Sequence, residues 1–256
     1  MGLTATPHRA DGLHKDLKSL IGPTVFDLSL SSVRGNTLAD YQVIRIPVNL
    51  SESEQERFDQ CSAIVRNYMM QKRKDNDGDY DWKDLLADTA EDPEAREVQK
   101  AFYVKQSIED RAEEKFRVLE DLFRLHLSER VIIFTGTNAM ARDISRRFLV
   151  PCLLNHCRKN ERIDILDGFS QGIYPAIVAN QVLDEGVDIP AAKVAVVLGG
   201  QASVKQAVQR LGRILRKSGH KDAVLYEVVC RDTSEERRSR QRRSSDAYQG
   251  TRYRRI

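Results

Sequence analysis

Long hydrophobic runs are missing from this chain. Its purely apolar stretches are short, such as Val194-Ala195-Val196-Val197-Leu198, and none approaches the ~20 residues needed to cross a bilayer. The sequence opens without the basic-then-apolar pattern of an export signal. Cysteine is scarce: Cys61, Cys152, Cys157 and Cys230 are four in 256 residues, too scattered for a disulfide framework. Cys152, His156 and Cys157 lie close together, but zinc sites usually want four ligands in two close pairs, and no second pair exists. These three read as packing on and beside one short strand, and the cysteines as reduced thiols of a cytoplasmic protein. An overall excess of one charge is also lacking, since 41 Lys and Arg oppose 38 Asp and Glu.

What is present suits a soluble globular protein: 41% hydrophobic and 31% charged residues, enough for one large or two modest domains. The net charge of +3 is unevenly spread. Residues 231–256 hold nine arginines against Asp232, Glu235, Glu236 and Asp246, so the rest of the chain is slightly acidic. This basic tail could hold phosphate or simply be a solvated, partly disordered end. Residues 1–50 are turn-rich around two strand-like runs, Thr24–Leu28 and Tyr41–Leu50. From 51 to 127 the pattern turns helical. Ser51 and Glu54 make a capping box, and Phe58, Cys61, Val65, Tyr68 and Met69 recur at helical spacing. Asp75-Asn76-Asp77-Gly78-Asp79 resembles part of a calcium loop but lacks the later acidic ligand, so it reads as a polar turn. Asp92-Pro93 then starts one long helix striped with Val98, Phe102, Ile108, Ala112, Phe116, Leu119 and Phe123. The expectation is a helical hairpin leaning on its neighbours.

Residues 128–230 alternate strand and helix. Val131–Phe134, Cys152–Leu154, Ala176–Ala179, Val194–Leu198 and Ala223–Val229 are continuous rather than alternating apolar strands. Helices are expected at Asn138–Leu149, Asn160–Ser170 and Val204–Leu215. That pattern predicts an α/β fold, a parallel sheet of about five strands covered on both faces.

Ligands of such sheets bind beyond the C-terminal strand ends. After Ala176–Ala179 comes Asn180-Gln181-Val182-Leu183-Asp184-Glu185-Gly186-Val187-Asp188-Ile189-Pro190. Gly186 allows a tight path, and Asp188 either accepts hydrogen bonds from a sugar hydroxyl or caps a turn before Pro190. Further on, Arg210, Arg213 and Arg216 share one helical face opposite Val204, Val208, Leu211 and Leu215. Three aligned guanidinium groups repel one another unless an anion is present, and phosphate is the obvious one.

Here the sequence resembles a known family. Gln209-Arg210-x-Gly212-Arg213-x-x-Arg216 resembles motif VI of superfamily 2 helicases, Val178–Pro190 motif V, and Val131-Ile132-Ile133-Phe134-Thr135 motif IV. Gly2-Leu3-Thr4-Ala5-Thr6-Pro7 resembles motif III, which closes the first RecA-like domain. The order is right and the motifs span nearly the whole chain. The Leu3–Gly12 segment, the Gly22-Pro23 turn and the helical hairpin are similar to the XPB branch, the archaeal XPB type included. The resemblance implies the end of a first RecA-like domain and linker (1–22), joining strands (23–50), a helical thumb-like insert (51–127), a second RecA-like domain (128–230) and the basic tail (231–256).

The implied activity is that of the C-terminal half of an ATP-dependent DNA helicase or translocase, moving 3′-to-5′ in DNA repair or DNA opening. Arg213 and Arg216 would be arginine fingers, Gln209 would couple the nucleotide to DNA, and Gly186 and Asp188 would line the sugar. Thr135, Asn180 and Gln181 would face the DNA backbone; Asn180 departs from the usual threonine or serine. No G-x-x-x-x-G-K-[ST] phosphate loop is present, so ATP and Mg2+ are expected on an N-terminal RecA-like domain, with this chain inactive alone. Arg66, Lys72 and Arg73 on the insert either grip DNA or are a solvated helix end. A docking module for a nuclease partner and DNA is the alternative reading.

Overall fold

The structure is a computed structural model and describes residues 16–20, 22–23, 41–180, 192–199, 223–243 and 253–255. Its elements in chain order begin with α1 (Leu17–Leu20), a single turn, and β1 (Tyr41–Val48). The helices α2 (Glu52–Asp75), α3 (Trp82–Asp88), α4 (Pro93–Asp110) and α5 (Glu113–Leu125) follow. Then come β2 (Val131–Thr135), α6 (Asn138–Phe148), β3 (Cys152–Leu153), α7 (Lys159–Gln171), β4 (Ala176–Asn180), β5 (Val194–Leu198) and β6 (Ala223–Cys230). The chain closes with α8 (Ser234–Arg243) and β7 (Tyr253–Arg255). Among the described residues no helix is long and apolar enough to cross a membrane.

The strands form one sheet in the order β3-β4-β2-β5-β6-β1-β7, and every neighbouring pair is parallel. β-branched runs favour this arrangement, because strands buried on both faces need apolar residues at successive positions. Val131, Ile133, Val178, Val196 and Val228 face one way, against Phe116, Leu119 and Leu122 of α5 and Met140 and Ile144 of α6. Ile132, Phe134, Ile177, Ala195 and Leu225 face the other, with Phe169 of α7. The sheet is larger than the five strands expected: β1, read as a joining strand, pairs along its whole length with β6, and β7 pairs with β1. Pairing between residues ~180 apart leaves no local signature. The Thr24–Leu28 run and the Val204–Leu215 helix lie outside the described residues.

The helical region divides. α2, α3 and α4 have their own small core of Tyr68, Tyr80, Leu85, Ala95 and Val98. Ser51 and Glu54 cap α2 reciprocally, as their spacing predicts, and Asp92 caps α4 with Pro93 in the first turn. The expected long helix is instead broken. Arg111 ends α4, Ala112 has extended ψ (130°), and α5 starts afresh against the sheet. Neither Gly nor Pro marks the break, although Glu113-Glu114 in a new first turn is a start signal that was available. The solvated alternative for the 231–256 tail does not hold for Ser234–Arg243, which form α8 with Glu235 and Ser239 buried.

Candidate functional site

In an all-parallel sheet the C-terminal strand ends lie along one edge. Here Thr135 of β2 is in register with Asn180 of β4 on one side and with Leu198 of β5 on the other. Two of the predicted DNA-facing residues therefore stand side by side. Thr135 is buried, and its hydroxyl donates to the Thr137 carbonyl at 3.1 Å. Asn180 is buried as well; its amide nitrogen donates to Asn138 Oδ1 at 2.8 Å, and its own Oδ1 has no partner. Asn138 opens α6, whose first turn is capped by Thr137 accepting from the Met140 N–H at 3.3 Å. The edge thus gathers neutral polar groups beside the N-terminus of α6; with the Thr135 hydroxyl and the Asn180 amide already donating within the protein, it is the helix N-terminus that could receive a phosphate oxygen. Asn138 was not singled out from the sequence; its place as the first helical residue after motif IV is the signal that could have found it.

The next position along this edge is Gly199, directly after β5, with φ +74°. A Cβ there would lie 2.9 Å from Asp110 Oδ1 and 3.0 Å from Glu235 Oε1. Behind it Lys115 is fully buried, donating to Glu235 Oε1 at 2.7 Å and to the Glu109 carbonyl at 2.6 Å. Burial pushes the Asp110 carboxyl up to about 6, with Glu235 and Glu109 adding to the rise and Lys115 and Arg238 opposing it. Burial likewise pushes the Cys230 thiol up to about 12. None of these charged groups was expected to act together.

Gln181, Gly186, Asp188, Gln209, Arg213 and Arg216 lie outside the described residues. The basic residues of α2 are far from the strand ends in role. Lys72 pairs with Asp88 (3.3 Å) and Asp92 (3.7 Å) and sits over the rings of Tyr68 and Tyr80. Arg73 Nε donates to the Tyr80 carbonyl at 3.1 Å, while Arg66 is exposed. Cys157 is held by Leu154 N–H and the Cys152 carbonyl, and among the described residues no His, Cys, Asp or Glu group is arranged to hold a metal.

A parallel sheet between helical layers, with Thr135 and Asn180 at the ends of β2 and β4, is the architecture of a RecA-like domain. Solved structures agree on the fold. The helicase domain of Pyrococcus furiosus Hef superposes with a TM-score of 0.61 at 15% identity, over 94% of this chain and 66% of that one. A Sulfolobus solfataricus SWI2/SNF2 ATPase core in complex with dsDNA gives 0.56 at 18% identity, over 89% and 49%. Residues 96–256 match the ERCC3/RAD25/XPB C-terminal helicase model, and the chain belongs to that family. It is 37% identical to the DNA 3'-5' translocase XPB2 of Sulfurisphaera tokodaii, over 95% of this chain and 55% of that protein. With the DNA 3'-5' helicase XPB of Kineococcus radiotolerans it shares 28% identity, over 99% and 39%. The chain therefore spans about half or less of the length of these relatives.

Proposed function

We propose that this chain is the second motor domain of an ATP-dependent DNA helicase or translocase of the XPB kind. The observation that supports it best is the family match over 96–256, which includes Gln209-Arg210-x-Gly212-Arg213-x-x-Arg216. In this reading Arg213 and Arg216 stabilise charge on the γ-phosphate, Gln209 couples the site to DNA, and Gly186 and Asp188 line the sugar. Thr135 and Gln181 face the DNA backbone. Asn180, already bonded to Asn138, holds the end of β4 against the start of α6 and presents the pair to the same phosphate. ATP and its magnesium ion rest mainly on a first RecA-like domain carrying the phosphate loop, and the bound nucleotide supplies the free energy for stepping. A second role is docking of a nuclease partner on α2–α4, where Ile64, Met70, Leu86 and Tyr103 stay 40–54% exposed.

The test is DNA-stimulated ATPase activity of this chain mixed with a separately produced first RecA-like domain, with complex formation confirmed by gel filtration. Turnover should emerge only in the complex and fall by about 10³-fold or more with Arg213→Ala, as for other arginine fingers. Binding of the nuclease should survive that substitution. Turnover by this chain alone, or an Arg213→Ala complex at full rate, would refute the motor reading.

A further inference from the structure

α8 reads Ser-Glu-Glu-Arg-Arg-Ser-Arg-Gln-Arg-Arg and contains no apolar side chain, so hydrophobic burial gives it no reason to dock. At ten residues it is also too short to persist as an isolated helix. It is nevertheless pinned against the sheet, with Glu235 and Ser239 (four apart, one face) 1% and 0% exposed. Polar contacts alone account for this. Ser239 donates to Glu227 Oε2 at 2.7 Å, and Arg45 of β1 donates to Glu236 Oε1 at 3.0 Å. Ser234 and Arg238 both donate to Glu109 Oε2, at 2.7 and 2.9 Å. Glu235 Oε2 accepts the Cys230 N–H at 2.9 Å, while Oε1 takes Lys115.

The geometry of these contacts is specific. Arg45 and Glu227 alternate with the residues that face α5, so α8 lies on the opposite side of the sheet from α5. The Lys115–Glu235 pair therefore passes over the C-terminal end of β6 and ties the two helical layers together. Glu109 and Asp110, the last residues of α4, join the same cluster from the helical region. Buried ion pairs rarely stabilise more than well-packed apolar residues would, and their better-attested use is to fix one arrangement. What is fixed here is the exit from β5: two carboxylate oxygens close on Gly199, and a Cβ there could be admitted only by shifting them. Gly199 lies ten residues before Gln209.

We propose that Lys115, Asp110 and Glu235 are positioning residues, forming a charged abutment against Gly199 that sets how the chain leaves β5 toward its arginine-bearing segment. In this arrangement α8 is the brace of the abutment. The inference rests on the motor reading above, because its consequence is felt at Arg213 and Arg216.

Steady-state ATP hydrolysis by the complex with the first RecA-like domain tests it. Rates are taken per folded molecule, using far-ultraviolet circular dichroism at the assay temperature. Gly199→Ala places a methyl against both carboxylates at a φ of +74°, which strains alanine in itself, whereas Glu235→Gln removes the charge that Lys115 faces while keeping the side chain's shape and leaving that backbone unstrained. Each should lower kcat by about 10- to 100-fold, the scale of an ångström-sized misplacement. KM for ATP should stay within about twofold, since the loss lies in the transition state rather than in ground-state binding. Asp110→Ala, by removing the nearer oxygen, should recover part of the Gly199→Ala loss. Wild-type kcat for Glu235→Gln beside an inactive Arg213→Ala would overturn the abutment alone, and Glu235→Gln decides if Gly199→Ala does not fold. Full activity of Arg213→Ala would overturn the motor reading, and the abutment with it.

Discussion

Lys115 is fully enclosed, and burial works against its charge, but the Glu235 carboxylate outweighs that and holds its pKa above the ordinary lysine value. Asp110 sits beside the same cluster with the opposite outcome. Its surroundings include Lys115 from α5, Glu235 and Arg238 from α8, and Glu109 from its own helix. Burial raises its carboxyl from 3.8 to about 6. Because the folded-state value exceeds the unfolded one, the unfolded chain binds fewer protons than the native one between these values. The stability contribution of Asp110 is therefore greatest near the bottom of that window and is lost as pH rises through about 6. Carboxyls held low by their partners, such as Glu113 by Arg147 and Asp92 by the Tyr68 hydroxyl, act in the reverse sense but only at more acidic pH. Scanning calorimetry at matched ionic strength should show a Tm component that falls between about pH 4 and 6 and is missing from Asp110→Asn. Parallel Tm profiles for the two proteins would show that Asp110 titrates normally.

At the scale of elements, sequence patterning was informative where burial is local and continuous. The cores of β2, β4, β5 and β6 follow from runs such as Val131–Phe134, and the starts of α2 and α4 follow from Ser51–Glu54 and Asp92-Pro93. The pairing of β1 with β6 did not, because it depends on contacts between distant residues. The break at Arg111-Ala112 was hidden because Val98, Phe102, Ile108, Ala112 and Phe116 continue one helical stripe in sequence, although Val98 packs in the small core of α2–α4 and Ala112 and Phe116 in the core of the sheet. α8 was hidden by composition: ten polar residues look solvated, and only the three-dimensional positions of Lys115, Glu109, Glu227 and Arg45 show otherwise. The division of the helices has a measurable consequence. Leu85 belongs to the small core of α2–α4, and Leu119 belongs to the core beneath the sheet. Each is fully buried, so truncation to Ala should cost about 2–5 kcal/mol. Hydrogen exchange followed by mass spectrometry should localise the two losses differently. Leu85→Ala should speed exchange in α2–α4 and spare β2 and β4, whereas Leu119→Ala should speed it across the sheet. Equal acceleration of β2 by both would mean that α2–α4 share the sheet's stability rather than possessing their own.

For the molecule as a whole, the question is which surface would meet DNA. Lysine and arginine contacts to phosphate release counterions, and the logarithm of affinity falls with the logarithm of salt by about 0.9 for each phosphate neutralised on a duplex. The described groups at the strand ends, Thr135, Asn138 and Asn180, are neutral, so a phosphate held there would meet no cation and drive little of that release. Lys72 and Arg73 are already committed within the helical unit, to Asp88, Asp92 and the Tyr80 carbonyl. Exposed cations include Arg66 on α2 and Arg237 and Arg240 on α8. If the strand ends carry DNA, the binding of this chain to a labelled oligonucleotide should be nearly independent of sequence and only mildly sensitive to salt. Fluorescence anisotropy across about 50–200 mM salt should then give a slope no steeper than about −2. A slope of about −4 or beyond would require several lysine or arginine contacts at once and would move the DNA site to a basic surface, with α8 the first place to substitute.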